Sequence, residues 1–249
     1  MAFAHDGLGD WDGDGRSDLV YIRVDNSTTD PATSFRYRSS INPDNIVRHR
    51  FTVAADAFVM GDFFFDNRTY PGINKADDAT LPLLWIFKDP QGQEISLRFG
   101  LPGDQIPNLG DLDCDGRTDL ITTRKGTSAR YPGFRIWYVA LTGGEGSLVE
   151  TVFGLATDEI AVADVDGDGC DELIALRPSN FTWYSRGLFE GGDATESVQW
   201  GLKGDKPILP RDMNADGKPD YIVTRSFGSQ ELAIVRYGEG STGLVSLGS

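Results

Sequence analysis

Four short segments of the chain carry oxygen side chains at alternate positions, in the order D-x-[DN]-x-D-G-x-x-[DE]. The first holds Asp10, Asp12, Asp14 and Asp18, and the second Asp111, Asp113, Asp115 and Asp119. The third holds Asp164, Asp166, Asp168 and Glu172, and the fourth Asp212, Asn214, Asp216 and Asp220. Such side chains converge only where the backbone wraps around a centre, and packing so many carboxylates together is prohibitive without a cation. The backbone carbonyl at position 7, from Arg16, Arg117, Cys170 and Lys218, adds another hard oxygen. A cage of this kind suits Ca2+ better than Mg2+ or a soft transition metal. Glycine at position 6 (Gly15, Gly116, Gly169 and Gly217) supplies the sharp bend. The spacing therefore predicts four calcium ions, one per loop.

A helix–loop–helix calcium site needs a bidentate Glu at position 12, where this chain has Tyr21, Thr122, Ala175 and Val223. Those residues fall in β-rich runs, so each loop opens into a strand and the acid at position 9 is expected to close the coordination. Positions 1, 3, 5 and 9 of the four loops supply 15 carboxylates, the size of the formal net charge of −15. Four divalent cations would bring that charge to about −7, which makes the acidity mainly a property of the loops. On this reading the cations staple strands together and take no part in catalysis.

The elements that position these loops form a repeat. The first Asp of each loop stands at 10, 111, 164 and 212, so the first interval is about twice the later ones. A fifth copy at Gly61-Asp62 fills the gap, with its loop rewritten and Phe64 at position 3. We number the loops by repeat, with loop 2 the rewritten one. Each of repeats 2 to 4 also carries a central tryptophan, at Trp85, Trp137 or Trp183. An aromatic-Gly-Leu landmark then leads to an Asp: Phe99-Gly100-Leu101 to Asp104, Phe153-Gly154-Leu155 to Asp158, and Trp200-Gly201-Leu202 to Asp205. Short β-rich runs between polar turns give four strands per unit, without helical periodicity, and 30 Gly and 12 Pro punctuate the turns. The fold expected is an all-β, single-domain propeller over 1–249, with five four-stranded blades near 1–53, 54–101, 102–155, 156–202 and 203–249.

The loops, the landmark and the strand order resemble the FG-GAP repeats of integrin α-subunit propellers. They resemble more closely the bacterial VCBS-type repeats, with the run GDxDGDGxxDxxxxRP…WY…FG, best matched here by ADVDGDGCDELIALRPSNFTWY through Trp200-Gly201. The resemblance spans nearly the whole chain. It implies a calcium-bearing propeller of an exported protein, working in adhesion, in carbohydrate binding or beside an enzyme. Loop 2, Asn214 and a count of five blades where integrins have seven depart from the pattern.

The remaining residues point away from several functions. The acidic charge opposes binding of nucleic acid or anionic membrane. No run approaches the roughly 18 apolar residues of a membrane span, and the first residues lack the pattern of a signal peptide. His5 and His49 stand beside no nucleophile motif, so an enzyme is not expected. Cys114 and Cys170 read as free thiols. The Arg five residues beyond each intact loop (Arg23, Arg124, Arg177 and Arg225) reads as a structural hydrogen bonder, and the tryptophans as packing between blades. Segments 24–34, 66–80, 125–133 and 187–197 break the repeat and are the candidate binding loops, with Tyr70, Arg130, Tyr131 and Phe189 their bulky groups. The function expected is a secreted or cell-surface recognition or adhesion module, binding glycan or protein. A spacer or oligomerisation ring within a larger chain or assembly, and a glycan-cleaving enzyme, are the alternatives.

Overall fold

The run that follows loop 4, Glu172–Arg177, is buried at five of its six positions instead of alternating. A strand of that kind must be covered on both faces, which a blade wedged between two others achieves. The computed structural model describes residues 8–13, 18–25, 32–39, 44, 46–127, 129–143, 146–191, 195–211, 213–214, 219–228 and 230–246. Over these residues it is a five-bladed β-propeller, with no helix.

Blade 1 comprises β1 (Leu8–Gly9), β2 (Asp18–Asp25), β3 (Ala32–Arg38) and β4 (Ile46–Phe51), paired antiparallel in that order. Blade 2 repeats the pattern with β5 (Ala57–Gly61), β6 (Tyr70–Lys75), β7 (Leu84–Lys88) and β8 (Glu94–Arg98). Blade 3 has β9 (Leu120–Thr127), β10 (Arg130–Ala140) and β11 (Leu148–Leu155). Blade 4 is β12 (Glu159–Ala163), β13 (Glu172–Arg177), β14 (Thr182–Arg186) and β15 (Glu196–Gln199), and blade 5 is β16 (Lys206–Arg211), β17 (Asp220–Phe227), β18 (Gln230–Arg236) and β19 (Thr242–Ser246).

Blade 3 lacks a continuous innermost strand, and residues 105–110 take its place through isolated bridges from Gln105 to Thr123 and from Gly110 to Asp119. Pro107 interrupts that ladder because it has no N–H to give. The Asn108 side chain compensates across the seam to blade 4, donating to the Val162 carbonyl and accepting the Val162 N–H at 2.9 Å.

Apolar clusters knit each blade to the next. Trp11, Phe35 and Phe51 pack with Ile73 and Ile86, and Trp85 and Phe87 with Leu120. Trp137 and Val139 pack with Ile160 and Leu173, and Trp183 with Tyr221 and Val223. Burial fades outward, from the five buried positions of β13 to the wholly exposed β8.

This antiparallel order gives the ring two distinct ends. Turns between the first and second strands, which hold the acidic loops, share one end with turns between the third and fourth. The second-to-third hairpins and the landmark turns into the next blade share the other. The described residues of segment 125–133 therefore lie at the landmark end, whereas those of 187–197 lie at the acidic end.

Candidate metal loops and blade seams

Loop 3 is described in full. The Asp111 carboxylate at position 1 accepts the backbone N–H groups of Asp115 (3.1 Å) and Gly116 (2.7 Å), and Asp115 accepts that of Arg117 at 2.8 Å. These bonds curl the chain until oxygens of Asp111, Asp113 and Asp115 lie within 4.8 Å of one another. Position 4 and position 6 are left-handed, with Cys114 at φ 64° and Gly116 at 82°. Asp113 Oδ1 is buried without a hydrogen-bond partner. Burial, followed by the charges of Asp115 and Asp111, pushes its carboxyl above the usual range. An orphaned carboxylate oxygen in an all-oxygen cluster fits a hard divalent cation.

Loop 4 folds alike. Asp164 accepts the N–H groups of Gly167 (2.7 Å) and Gly169 (3.0 Å), both of which are left-handed, and Asp168 accepts that of Cys170 at 2.8 Å. The three acids brought together here are Asp164, Asp166 and Glu172. In loop 1, Asp10 accepts the Gly13 N–H at 2.7 Å, the position-4 bond seen in loop 4. Asp12 and Asn214 are also described, whereas Asp14, Arg16, Asp212, Asp216, Lys218 and the Asp18 side chain lie outside the described residues.

The acid at position 9 has a further duty. Asp119 accepts the N–H groups of Leu112 (3.0 Å) and Thr142 (2.9 Å), and Asp220 those of Met213 (2.8 Å) and Gly238 (2.9 Å). Each carboxylate thus ties its loop to the turn after the third strand, and Asp119 lies outside the 4.8 Å group. In loop 4, Glu172 accepts the Val165 N–H at 2.8 Å and its extra methylene lets it join the cluster. Burial pushes both Asp119 and Glu172 up to about 7.

Loop 2 keeps this backbone and the acids at positions 1 and 5, but has Phe64 and Tyr70 where the others have oxygen ligands at positions 3 and 9. Asp62 accepts N–H groups from Phe64, Asp66 and Asn67, the last at 2.7 Å, and Phe65 and Asn67 are left-handed at φ 60° and 58°. Tyr70 stands at position 9, and its hydroxyl donates to Asp66 Oδ2 at 2.6 Å. Its ring meets Phe64, at position 3, edge-on at 4.9 Å. An apolar pair and one hydroxyl proton thus fill the space that acids surround elsewhere. Tyr70 is buried at 8% exposure, which removes it from the candidate ligand contacts.

The loops also touch across the seams. The backbone N–H at position 8 of one loop donates to the position-1 carbonyl of the loop before it: Thr69 to Asp10 (2.6 Å), Thr118 to Asp62 (2.7 Å) and Asp171 to Asp111 (2.8 Å). Pro219 holds this position in loop 5 and has no N–H. Position 4 of one loop meets positions 6 and 7 of the next. A Cβ on Gly13 would fall 2.7 Å from Arg68 Nε, and the Arg117 guanidinium lies 5.6 Å from the centre of the Phe65 ring. At the seam between blades 3 and 4 the same two positions are Cys114 and Cys170, and they form a disulfide with Cα atoms 5.0 Å apart. This corrects the reading of free thiols. Pairing follows from adjacency in the ring, which a sequence separation of 56 conceals.

The other recurrent residues are structural. Arg124 grips Asp104 with two bonds (2.6 and 2.8 Å), as do Arg177 with Asp158 (3.3 and 3.1 Å) and Arg225 with Asp205 (2.6 and 2.7 Å). Each Asp also accepts the N–H of its landmark leucine, all at 2.8 Å. Trp85, Trp137 and Trp183 are fully buried, and each donates its indole N–H to the carbonyl of the landmark aromatic, Phe99, Phe153 or Trp200. None offers a face to a sugar. Exposed aromatics occur instead at Tyr131 (43%) and Phe134 (47%) in the blade 3 hairpin, where Arg130 stacks on Tyr131 and pairs with Glu150, and at Phe189 (67%) at the acidic end.

Fold and site together define a five-bladed propeller with recurrent acidic loops at one end. Compared with known proteins, the chain matches no family model and no curated protein.

Proposed function

We propose that this protein is a calcium-stabilised recognition module of the cell surface or the secreted fraction, whose ions staple the blades and whose ligand, a glycan or a protein, docks at the landmark end. The observation that carries the metal assignment is the orphaned Asp113 oxygen within the cluster of Asp111 and Asp115. A carboxylate so placed is stabilised by a cation and by little else. The Cys114–Cys170 disulfide supports an oxidising compartment, where such bonds persist. Calcium titration of the chelator-treated protein by calorimetry tests the metal assignment, and binding of no more than stray ions refutes it.

The ligand assignment rests on Arg130, Tyr131 and Phe134, which project from β10 beyond its pairing with the body of β9. Tyr131 holds a left-handed φ of 52°, a conformation that a bulky residue adopts at a cost. A screen against glycans and surface proteins with calcium present, repeated with R130A/Y131A, is expected to show binding that the double variant loses. Binding indifferent to that variant would place the ligand elsewhere.

A further inference from the structure

The seam between blades 3 and 4 carries connections beyond the backbone bond that it shares with two other seams. Cys114 sits between Asp113 and Asp115 and is joined to Cys170, whose carbonyl is at position 7 of loop 4. Next to Cys170, the Asp171 carboxylate accepts the Asp111 N–H at 2.7 Å and takes a second backbone hydrogen bond from Asp164. One side chain thus holds the first residue of loop 3 and the first residue of loop 4. The corresponding residues are Thr69 and Thr118 in loops 2 and 3.

We propose that Cys114–Cys170 and Asp171 join loops 3 and 4 into one two-cation unit, in which a cation bound by either loop raises the affinity of the other. The proposal rests on the reading of these loops as calcium sites. Ordering loop 3 around an ion fixes Asp111, Asp113 and Asp115, and through the two connections it also holds Cys170, Asp171 and Asp164. The second ion then meets a loop that is already closed, so less ordering entropy opposes its binding. Electrostatics alone gives the opposite sign, because a cation in one loop lowers the negative potential at its neighbour. The sign of the coupling therefore separates a mechanical joint from two sites that merely sit close together, and linkage requires the effect to be mutual.

The test is calcium titration of the full, chelator-treated chain as wild type, C114S/C170S, D113A and D113A/C114S/C170S. In wild type two ions are expected to bind together, about 10-fold tighter than in C114S/C170S, while ions bound elsewhere keep their affinity. D113A, which cripples loop 3, should weaken loop 4 by a similar factor where the disulfide is present, and by much less in D113A/C114S/C170S, where Asp171 alone still joins the loops. Should C114S/C170S fold poorly, reduction of the folded wild type by a dithiol serves instead. Cys114 is exposed, and the exchange yields two protein thiols and one oxidised reductant. Equal isotherms with and without the disulfide overturn the proposal, as does a D113A effect indifferent to it. Absence of any calcium uptake by wild type overturns the metal reading along with it.

Discussion

At the scale of single residues, loop 2 shows what the acids elsewhere are for. Asp66 is satisfied internally, by the Tyr70 hydroxyl and the Arg68 N–H. Its counterpart in loop 4, Asp168, accepts only backbone bonds among those described, from Cys170. Asp66→Ala is therefore expected to lower the melting temperature equally in calcium and in chelator, and Asp168→Ala more in calcium than in chelator. Thermal scans of both variants under both conditions check this, and a calcium-dependent loss in Asp66→Ala would contradict the account of loop 2. Tyr70→Phe removes one partly buried hydrogen bond and should cost about 1 kcal/mol. His49 offers a separate handle on pH. Desolvation and the nearby Lys88 charge hold its folded pKa below 6.5. The unfolded chain therefore takes up the proton first as pH falls. The stability that neutral His49 supports is complete above about 6.5 and is lost as pH drops towards the folded value. Denaturant midpoints at pH 7.5 and 5.5 should differ less in His49→Gln than in wild type.

At the scale of the element, each landmark turn is a clasp closed by an Arg from the following blade's second strand. The Asp side chains of these pairs are at most 1% exposed, whereas the Arg side chains are 26–33% exposed. Removing the Arg leaves a buried charge. Allowing for the partly solvated partner, Arg225→Ala should cost roughly 2–3 kcal/mol, and Arg225→Ala/Asp205→Asn less than the sum of the two singles. Chemical denaturation of the three variants measures that coupling, and strict additivity would reject the clasp. The repeat made these partners legible as recurrent positions: Arg at a constant offset after each loop, Asp after each landmark, Trp between them. Their bonds to one another were not legible, because each pair joins residues about 20 apart that meet only when adjacent strands align. The disulfide and the Tyr70 plug were harder still. Position 4 meets position 7 across a seam that forms only once the blades pack side by side, and Phe64 reads along the chain as a lost ligand and Tyr70 as a bulky group of a candidate binding loop, when the two are replacement packing.

At the scale of the whole molecule, the acidic loops lie at one end of the ring, with loops 1 to 4 tied in series by carbonyl bonds and loops 3 and 5 tied to turns by Asp119 and Asp220. Without cations that end gathers carboxylates such as Asp113, Asp119 and Glu172, whose burial already disfavours ionisation. Shared apolar clusters run from blade 1 through blade 5, so strain at the loops is felt by the ring as a unit and unfolding should remain a single transition. Calcium at about 100 times its dissociation constant stabilises by roughly 2.7 kcal/mol per site. Loops 3 and 4 alone therefore correspond to about 5 kcal/mol, or on the order of 10–20 °C in melting temperature for a chain of this size. Chelation should lower the single transition by at least that much and added Ca2+ should restore it. In chelator, raising NaCl to about 1 M should recover part of the loss by screening the exposed carboxylates, whereas in calcium the same salt should change little. A melting temperature indifferent to chelator would refute the stapling role, and two separated transitions would show that the blades do not share the load.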